Sequence, residues 1–376
     1  MTDLIHAAEN IKGGVGTYLR DLLRMQAETL GAGKVAAVVP ASQREILDSP
    51  RGVEVIEFDD NGTRPANMLR LARIVMRLVA ARKPRIAHLH STFAGAALRP
   101  LLRLNRCGTR VIYCAHGWAF DRQTSPGARR LIMRVERTLA FLCDAVVCVS
   151  DYEMRAAVRC GLPRSRLVVV RNGIPREPLS SEQHPAEVEW PAGVRRILFV
   201  GRFDRQKGVD VLLAALEQLR GEAFAYLAGA AVLDDSASLK LPHNVRMTGW
   251  LTPPQLEGLY RTADLLVVPS RWEAFGLTAA EGMRAGLPII AARVGALSEL
   301  VEDGVTGVLV PPDDSGALAA AVRALTVGQL RAMGAAGREA FLRRFTMDRV
   351  HRQLLKLYRT EVSHDRWRAV EAAEWG

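Results

Sequence analysis

Residues 265–292 read LLVVPSRWEAFGLTAAEGMRAGLPIIAA. Two short apolar runs, LLVVPS and PIIAA, bracket a stretch of helical composition that Gly286 and Pro288 stop. Short Val- and Ile-rich runs of this kind read as strands of a parallel sheet, buried on both faces. A chain carrying this stretch must therefore join a strand, a tight turn near Phe275-Gly276, a helix and a second strand. The first turn of such a helix has free N–H groups and the positive end of the helix dipole, a natural seat for a phosphate. Glu273 precedes the helix, and Glu281 is placed about two turns into it, eight positions on. Eight positions are about 800° of helical rotation, so the two carboxylates share a side if both are helical. A carboxylate pair beside a phosphate seat suits sugar hydroxyls.

The same alternation runs through the chain. Predicted strands are Leu4 to Ala8, Val35 to Pro40, Val53 to Phe58, Ile86 to Ser91, Arg110 to His116, Ala145 to Ser150 and Leu167 to Gly173. Helices are expected at 65–82, 94–106 and 127–142, with Asp151 capping the one after 150. Residues 174–194, with four prolines among Glu, Ser and Gln, read as a linker. A second series follows: Arg195 to Arg202, Ala223 to Gly229, Asn244 to Trp250, LLVVPS, PIIAA and Gly307 to Pro311. This predicts two doubly wound α/β domains, 1–180 and 194–345, and 376 residues suit two cores better than one.

Charge is unevenly spread. The net +11 lies wholly in residues 1–185, with 28 Lys/Arg against 17 Asp/Glu, and residues 61–120 hold eleven basic residues and no acidic one. Such a field attracts phosphates, nucleic acid or an anionic membrane. In the helix over 65–82, Arg70, Arg73 and Arg77 fall on one face, which marks an expected membrane or acceptor surface. No apolar run reaches the roughly 18 residues of a bilayer span. The N-terminus lacks a basic and then apolar leader, and five cysteines without a CxxC pair fit reduced thiols, so a cytoplasmic enzyme, peripheral on the inner membrane face, is expected.

Three further spots can carry chemistry. The turn Gly201 to Gly208 follows a buried strand, and its Arg202 and Lys207 suit a diphosphate. The loop Lys12-Gly13-Gly14-Val15-Gly16 lets backbone approach a ligand, though it lacks the GxGxxG spacing of a dinucleotide site. His116-Gly117 ends a strand on the edge where open α/β sheets bind ligands. His88 and His90 share a strand face, with no third ligand apparent and so no metal inferred. Ser91 ends the same strand. There is no Asp-x-Asp triplet, no Gly-x-Ser-x-Gly elbow and no Walker loop. With Arg202, Lys207 and a helix dipole to neutralise phosphate, no metal or other cofactor is required.

The order of these spots resembles the retaining GT-B glycosyltransferases of family four. The match lies in the Gly loop, His116, Asn172-Gly173, the GR…KG turn and two glutamates, Glu273 and Glu281, flanking Phe275-Gly276. The resemblance implies two Rossmann-like domains facing a cleft, with a final helix at about 346–362 crossing back to the first. It implies that a hexose moves from a nucleotide diphosphate sugar, a UDP-sugar before GDP-mannose, to a glycan or lipid-linked hydroxyl in polysaccharide or glycolipid synthesis. Arg202 and Lys207 would hold the diphosphate, with Gly14 and Gly16 closing over it. Glu273 and the N–H groups of Phe275, Gly276, Leu277 and Thr278 would hold sugar and phosphate, Glu281 the ribose, and His116 the transferred sugar. Two rivals are a nucleotide-sugar epimerase of the same fold and a non-catalytic binder of membrane or nucleic acid. The first would want a carboxylate cluster near the Gly loop. The second leaves the charge-neutral half unexplained, and nucleic acid is not expected as a partner.

Overall fold

The computed structural model describes residues 2–105, 108–121, 124–177, 188–230 and 241–359. They divide into two units, residues 1–172 with 347 onward, and 173–346. In unit 1, strands β1 (Leu4–Ala8), β2 (Val35–Pro40), β3 (Val53–Phe58), β4 (Ile86–His90), β5 (Arg110–Cys114), β6 (Ala145–Cys148) and β7 (Leu167–Val169) form one sheet. Helices α1 (Gly14–Leu30), α2 (Arg64–Arg82), α3 (Thr92–Leu104), α4 (Pro126–Ala140) and α5 (Asp151–Arg159) connect them. All pairings are parallel, in the order β3-β2-β1-β4-β5-β6-β7. The central strands are largely apolar because helices cover both faces, with the buried His6, His88 and His90 as exceptions, and the edge strand β3 alternates with exposed Glu54 and Glu57. Right-handed crossovers put α2 to α5 on one face and α1 on the other.

Unit 2 holds β8 (Arg195–Val200), α6 (Val209–Gln218), β9 (Ala223–Ala228), β10 (Val245–Gly249), α7 (Pro253–Thr262), β11 (Leu265–Val268) and α8 (Leu277–Arg284). It continues with β12 (Ile289–Ala292), α9 (Leu297–Leu300), β13 (Gly307–Val310), α10 (Ser315–Ala324) and α11 (Val327–Arg344). Its parallel sheet runs β10-β9-β8-β11-β12-β13. The last described helix, α12 (Met347–Arg359), packs against α1 in unit 1, where Arg110 donates to its carbonyls at Tyr358 (2.8 Å) and Leu357 (3.4 Å).

Each sheet reverses its winding once, between β1 and β4 in unit 1 and between β8 and β11 in unit 2. At such a switch point the loops leaving the carboxyl ends diverge and open a crevice, where open α/β sheets bind ligands. The Gly loop leaves β1, the GR…KG turn leaves β8 and the Phe-Gly turn leaves β11. Every loop that the sequence singles out for a ligand at the start of a helix thus borders a switch point.

Three local expectations are corrected. Ser150, not Asp151, caps α5: its Oγ accepts from the Glu153 N–H, because Asp151 is already helical and pairs with Arg171. Helix α3 begins at Thr92, two residues early. Helix α8 begins only after Gly276, so Glu273 lies outside it and Glu281 is just over one turn in. The eight-residue face argument therefore does not apply to this pair.

Candidate functional site

In unit 2 the two switch-point loops are bonded to each other. The Arg271 N–H donates to the Gln206 carbonyl (2.8 Å) and the Gln206 side chain to the Trp272 carbonyl (3.1 Å). Gly208 is left-handed (φ 64°), and a Cβ there would lie 2.1 Å from the Pro269 carbonyl oxygen. This backbone closeness carries Lys207 to Glu273: its Nζ pairs with Glu273 Oε1, which also accepts from Ser270 Oγ at 3.0 Å. Glu273 is 8% exposed, with that lysine as its one basic ion-pair partner among the described residues. Arg202 is exposed and held over the same turn by Asp204 (3.0 Å) and Gln206 (3.2 Å). Gly276 caps α8 in the left-handed region (φ 98°), leaving the N–H groups of Leu277 and Thr278 without helical acceptors. Phe275 instead turns inward against Phe345, ring centroids 5.8 Å apart.

Glu281 has a partner that the sequence did not signal. Its Oε2 accepts from the buried Tyr260 hydroxyl at 2.8 Å, and burial with this carboxylate nearby pushes the phenol well above its ordinary value. Gly295 was also missed: a Cβ there would meet the Glu273 carbonyl at 2.2 Å, so the loop after β12 clamps the backbone of that glutamate. The sequence also holds three pairs of adjacent aspartates, 59–60, 234–235 and 313–314, and the described ones have local duties. Asp59 pairs with Arg70, Asp60 binds Ser42, Asp313 pairs with Arg271 and Asp314 caps α10, while Asp234 and Asp235 lie outside the described residues.

In unit 1, Gly13 (φ 74°) caps α1 and Gly14 is exposed, whereas Gly16 is buried with its Cβ position 2.2 Å from the Ile11 carbonyl. Packing by itself is enough to require a glycine at Gly16. Ser91 and His116 end neighbouring strands, both with positive φ (76° and 52°), a strain that collects at functional sites. Ser91 donates to Glu9 at the end of β1, and burial raises the Glu9 carboxyl.

Behind His116 lies a chain of histidines. Its Nε2 is 2.9 Å from His90 Nδ1, His90 Nε2 is 2.9 Å from His6 Nδ1, and His6 Nε2 is 2.7 Å from Gln26 Oε1. An amide oxygen only accepts, so His6 carries its proton on Nε2, and the same follows for His90 and then His116. The outer acceptor of the chain is His116 Nδ1. Gln26 also donates to the Tyr358 hydroxyl (3.3 Å), which lies 2.7 Å from His88 Nδ1. Burial lowers His6 and His116 to about 4 and holds His88 and His90 well below their usual range. His6 is thus the third imidazole that sequence spacing could not supply beside His88 and His90. Beta strands β1 and β4 pair His6 directly with His88, 82 positions on.

The neighbouring turn is fixed by another residue without a sequence signal. Glu153 accepts from the Gly117 N–H (2.7 Å) and the Val149 N–H (2.8 Å), anchoring the His-Gly turn to α5.

Two parallel-sheet Rossmann-like units, each with helix-opening loops at its switch point, define the GT-B class of glycosyltransferase fold. The UDP complex of the Anabaena protein HepE shares it with a TM-score of 0.78 at 20% identity, over 95% of this chain and 99% of that one. Residues 12–177 match the family described as Glycosyltransferase Family 4, and residues 194–326 that described as Glycosyl transferases group 1. An uncharacterized 41.2 kDa protein in the cps region of Klebsiella pneumoniae is 32% identical over 83% of this chain and 87% of its own. The D-inositol 3-phosphate glycosyltransferase of Nocardiopsis dassonvillei is 30% identical over 81% of this chain and 80% of its own. The chain belongs to the group 1 glycosyltransferases.

Proposed function

We propose that this glycosyltransferase is a retaining enzyme. It would move a hexose from a nucleotide diphosphate sugar, a UDP-sugar before GDP-mannose, to a hydroxyl of a glycan or lipid-linked acceptor. The carrying observation is the Lys207–Glu273 pair, joined across the β8–β11 switch point with Arg202 and the α8 N-terminus around it. Arg202, Lys207 and the N–H groups of Leu277 and Thr278 take the diphosphate, and Lys207 then divides its charge between Glu273 and the phosphate. Glu273 accepts sugar hydroxyls. Glu281, steadied by Tyr260, accepts the ribose hydroxyls. In unit 1, Gly14 and the neutral His116, with Nδ1 as acceptor, serve the donor's diphosphate and sugar.

The bond from the anomeric carbon to the phosphate oxygen breaks while the acceptor oxygen bonds to that carbon on the same face. The acceptor's proton passes to the departing phosphate oxygen, so the balance requires no protein nucleophile. Charge grows on the leaving diphosphate, and Arg202 and Lys207 stabilise it more in the transition state than in the bound donor. With that charge met by side chains and a helix terminus, the reading requires no metal. HepE, which shares the fold, has been solved with UDP-glucose, which supports a UDP-sugar. The protein works in the cytoplasm on polysaccharide or glycolipid precursors, with Arg70, Arg73 and Arg77 on the acceptor or membrane side.

The test is nucleotide release with a panel of UDP- and GDP-sugars. Arg202→Ala and Lys207→Ala should each lower kcat/KM with the best donor by about 10²–10³. If both variants turn over like the parent, the phosphate assignment is wrong. If no sugar nucleotide is consumed, the transferase reading itself falls.

A further inference from the structure

Helices α2, α3 and α4 are successive crossovers on one face of the unit 1 sheet, and each packs against the next. Together they carry one carboxylate, Glu136, and it is buried against Arg99 at 2.9 Å. Their outer surface therefore shows no negative charge. It shows Arg73, Arg77, Arg103, Arg130, Arg134 and Arg137, all exposed and without an ion-pair partner among the described residues. Arg70 and Arg82, at the flanks of α2, are tied to Asp59 and Glu54. Asp121, in the turn before α4, is half-buried beside Arg129 and Arg159, and on the fourth helix of the layer, α5, Asp151 pairs with Arg171 while Glu153 is buried.

The apolar surface collects in the same place. Every large apolar side chain exposed in unit 1, among the described residues, lies in this layer: Leu69, Leu101, Leu104, Leu131, Val135 and Phe141 at the end of α4. Leu104 is 77% exposed, Leu131 63% and Phe141 56%. Along α4, Leu131 and Val135 are four positions apart and occupy one flank of the outer face. Arg130, Arg134 and Arg137 occupy the other. Solvated surfaces mix both signs of charge; this one shows a single sign, and the exposed apolar side chains of unit 1 lie on the same helices.

We infer that the outer face of α2, α3 and α4 docks on the surface of an anionic phospholipid bilayer. Leucine and phenylalanine side chains enter the headgroup–acyl boundary, about 5–10 Å deep, as they do in interfacial helices. The arginines lie along the lipid phosphates with their alkyl stems on the apolar surface. A second copy of this chain is a poorer occupant, because a two-fold contact would set six unneutralised arginines against six. Nucleic acid would satisfy the arginines and leave the exposed leucines and phenylalanine in water. The inference deepens the lipid-linked acceptor reading and rests on it for its purpose, while binding itself needs neither donor nor acceptor.

The experiment is flotation of the full chain with vesicles of phosphatidylcholine alone and of phosphatidylcholine mixed with phosphatidylglycerol, at low and high salt. Flotation with anionic vesicles only, weakened by salt, is expected. Arg130/Arg134/Arg137→Ser should lower partitioning on the order of a hundred-fold, since each basic group near such a surface contributes about 1 kcal/mol. Leu104/Leu131/Phe141→Ser should lower it while the salt dependence persists. Arg24→Ser on α1, exposed on the opposite face, should change nothing. Should a triple variant melt early, the single Arg134→Glu replaces it. Equal flotation with neutral and anionic vesicles, or unchanged partitioning in both triple variants, overturns the inference. So does a dimer by light scattering that the leucine variant disperses, which would give the face to a second copy. Nucleotide release measured on the same variants with a soluble acceptor keeps a failed docking face distinct from a failed transferase reading.

Discussion

His116 is held by groups it could not reach in sequence: His90 behind its ring, Glu153 on the next N–H and the Tyr18 ring edge-on at 4.8 Å. The chain ending at Gln26 makes it a neutral imidazole with Nδ1 outward, and burial keeps it and His6 near 4, against an ordinary 6.5. An unfolded chain takes up protons on these residues as pH falls through about 6.5, while the folded protein does so only near 4. Their contribution is thus complete above pH 6.5 and is lost as pH drops toward 4. Glu153, pushed up to about 8 by burial, acts with the opposite sign, so the comparison must be differential. The melting temperature of His6→Gln should fall less steeply than that of the parent between pH 6.5 and 4. In the parent at pH 7, nitrogen NMR should find the His116 proton on Nε2. Equal slopes, or a proton on Nδ1, would show that the chain does not set this residue's state.

At the scale of elements, the two switch-point loops of unit 2 are held by close backbone packing as well as by side chains. Gly208 and Gly295 are both left-handed (φ 64° and 50°), and each stands where a Cβ would press on a carbonyl oxygen, of Pro269 and of Glu273. Gly304 is left-handed too (φ 79°) but has nothing within 4 Å of its Cβ position. An alanine at Gly304 should cost only the left-handed penalty of about 1–2 kcal/mol. Gly208→Ala and Gly295→Ala should cost more, because a loop must move, and both should weaken donor binding by separating Lys207 from Glu273. Chemical denaturation with calorimetry of nucleotide binding checks this. If all three variants are destabilised alike, the close packing of the two loops is not what holds the pair.

For the whole molecule, the division into units is not a division of the chain into halves. Unit 2 is one continuous segment with its own core, whereas unit 1 is completed by α12. Tyr358 of α12 bonds Gln26 and lies against His88, and Leu354 and Leu357 are fully buried. Residues 173–346 should therefore fold alone and bind nucleotide. Residues 1–172 alone should melt non-cooperatively, and adding 347–359 as a linked segment should restore a cooperative transition. Calorimetric scans of the three fragments test this, and a cooperative melt for 1–172 by itself would contradict it.

The sequence by itself determined the strands, most helix positions and the loops that open onto the switch points. These depend on residues close in the chain: apolar runs of four to six, a glycine where the backbone must turn, and a cation or carboxylate within a few positions of that turn. Arg202, Lys207, Glu273 and Glu281 were all legible in this way. What they touch was not. Tyr260 on Glu281, Gly295 under Glu273, Glu9 beside Ser91 and the third histidine all depend on which strands become neighbours. That order is decided by how the crossovers bury both faces of each sheet. The pairing of β1 with β4 sets His6 beside residues more than eighty positions away. Likewise, the basic row on α2 was visible in the sequence, but the leucines and arginines of α3 and α4 joined it only once three crossovers packed on one face of one sheet.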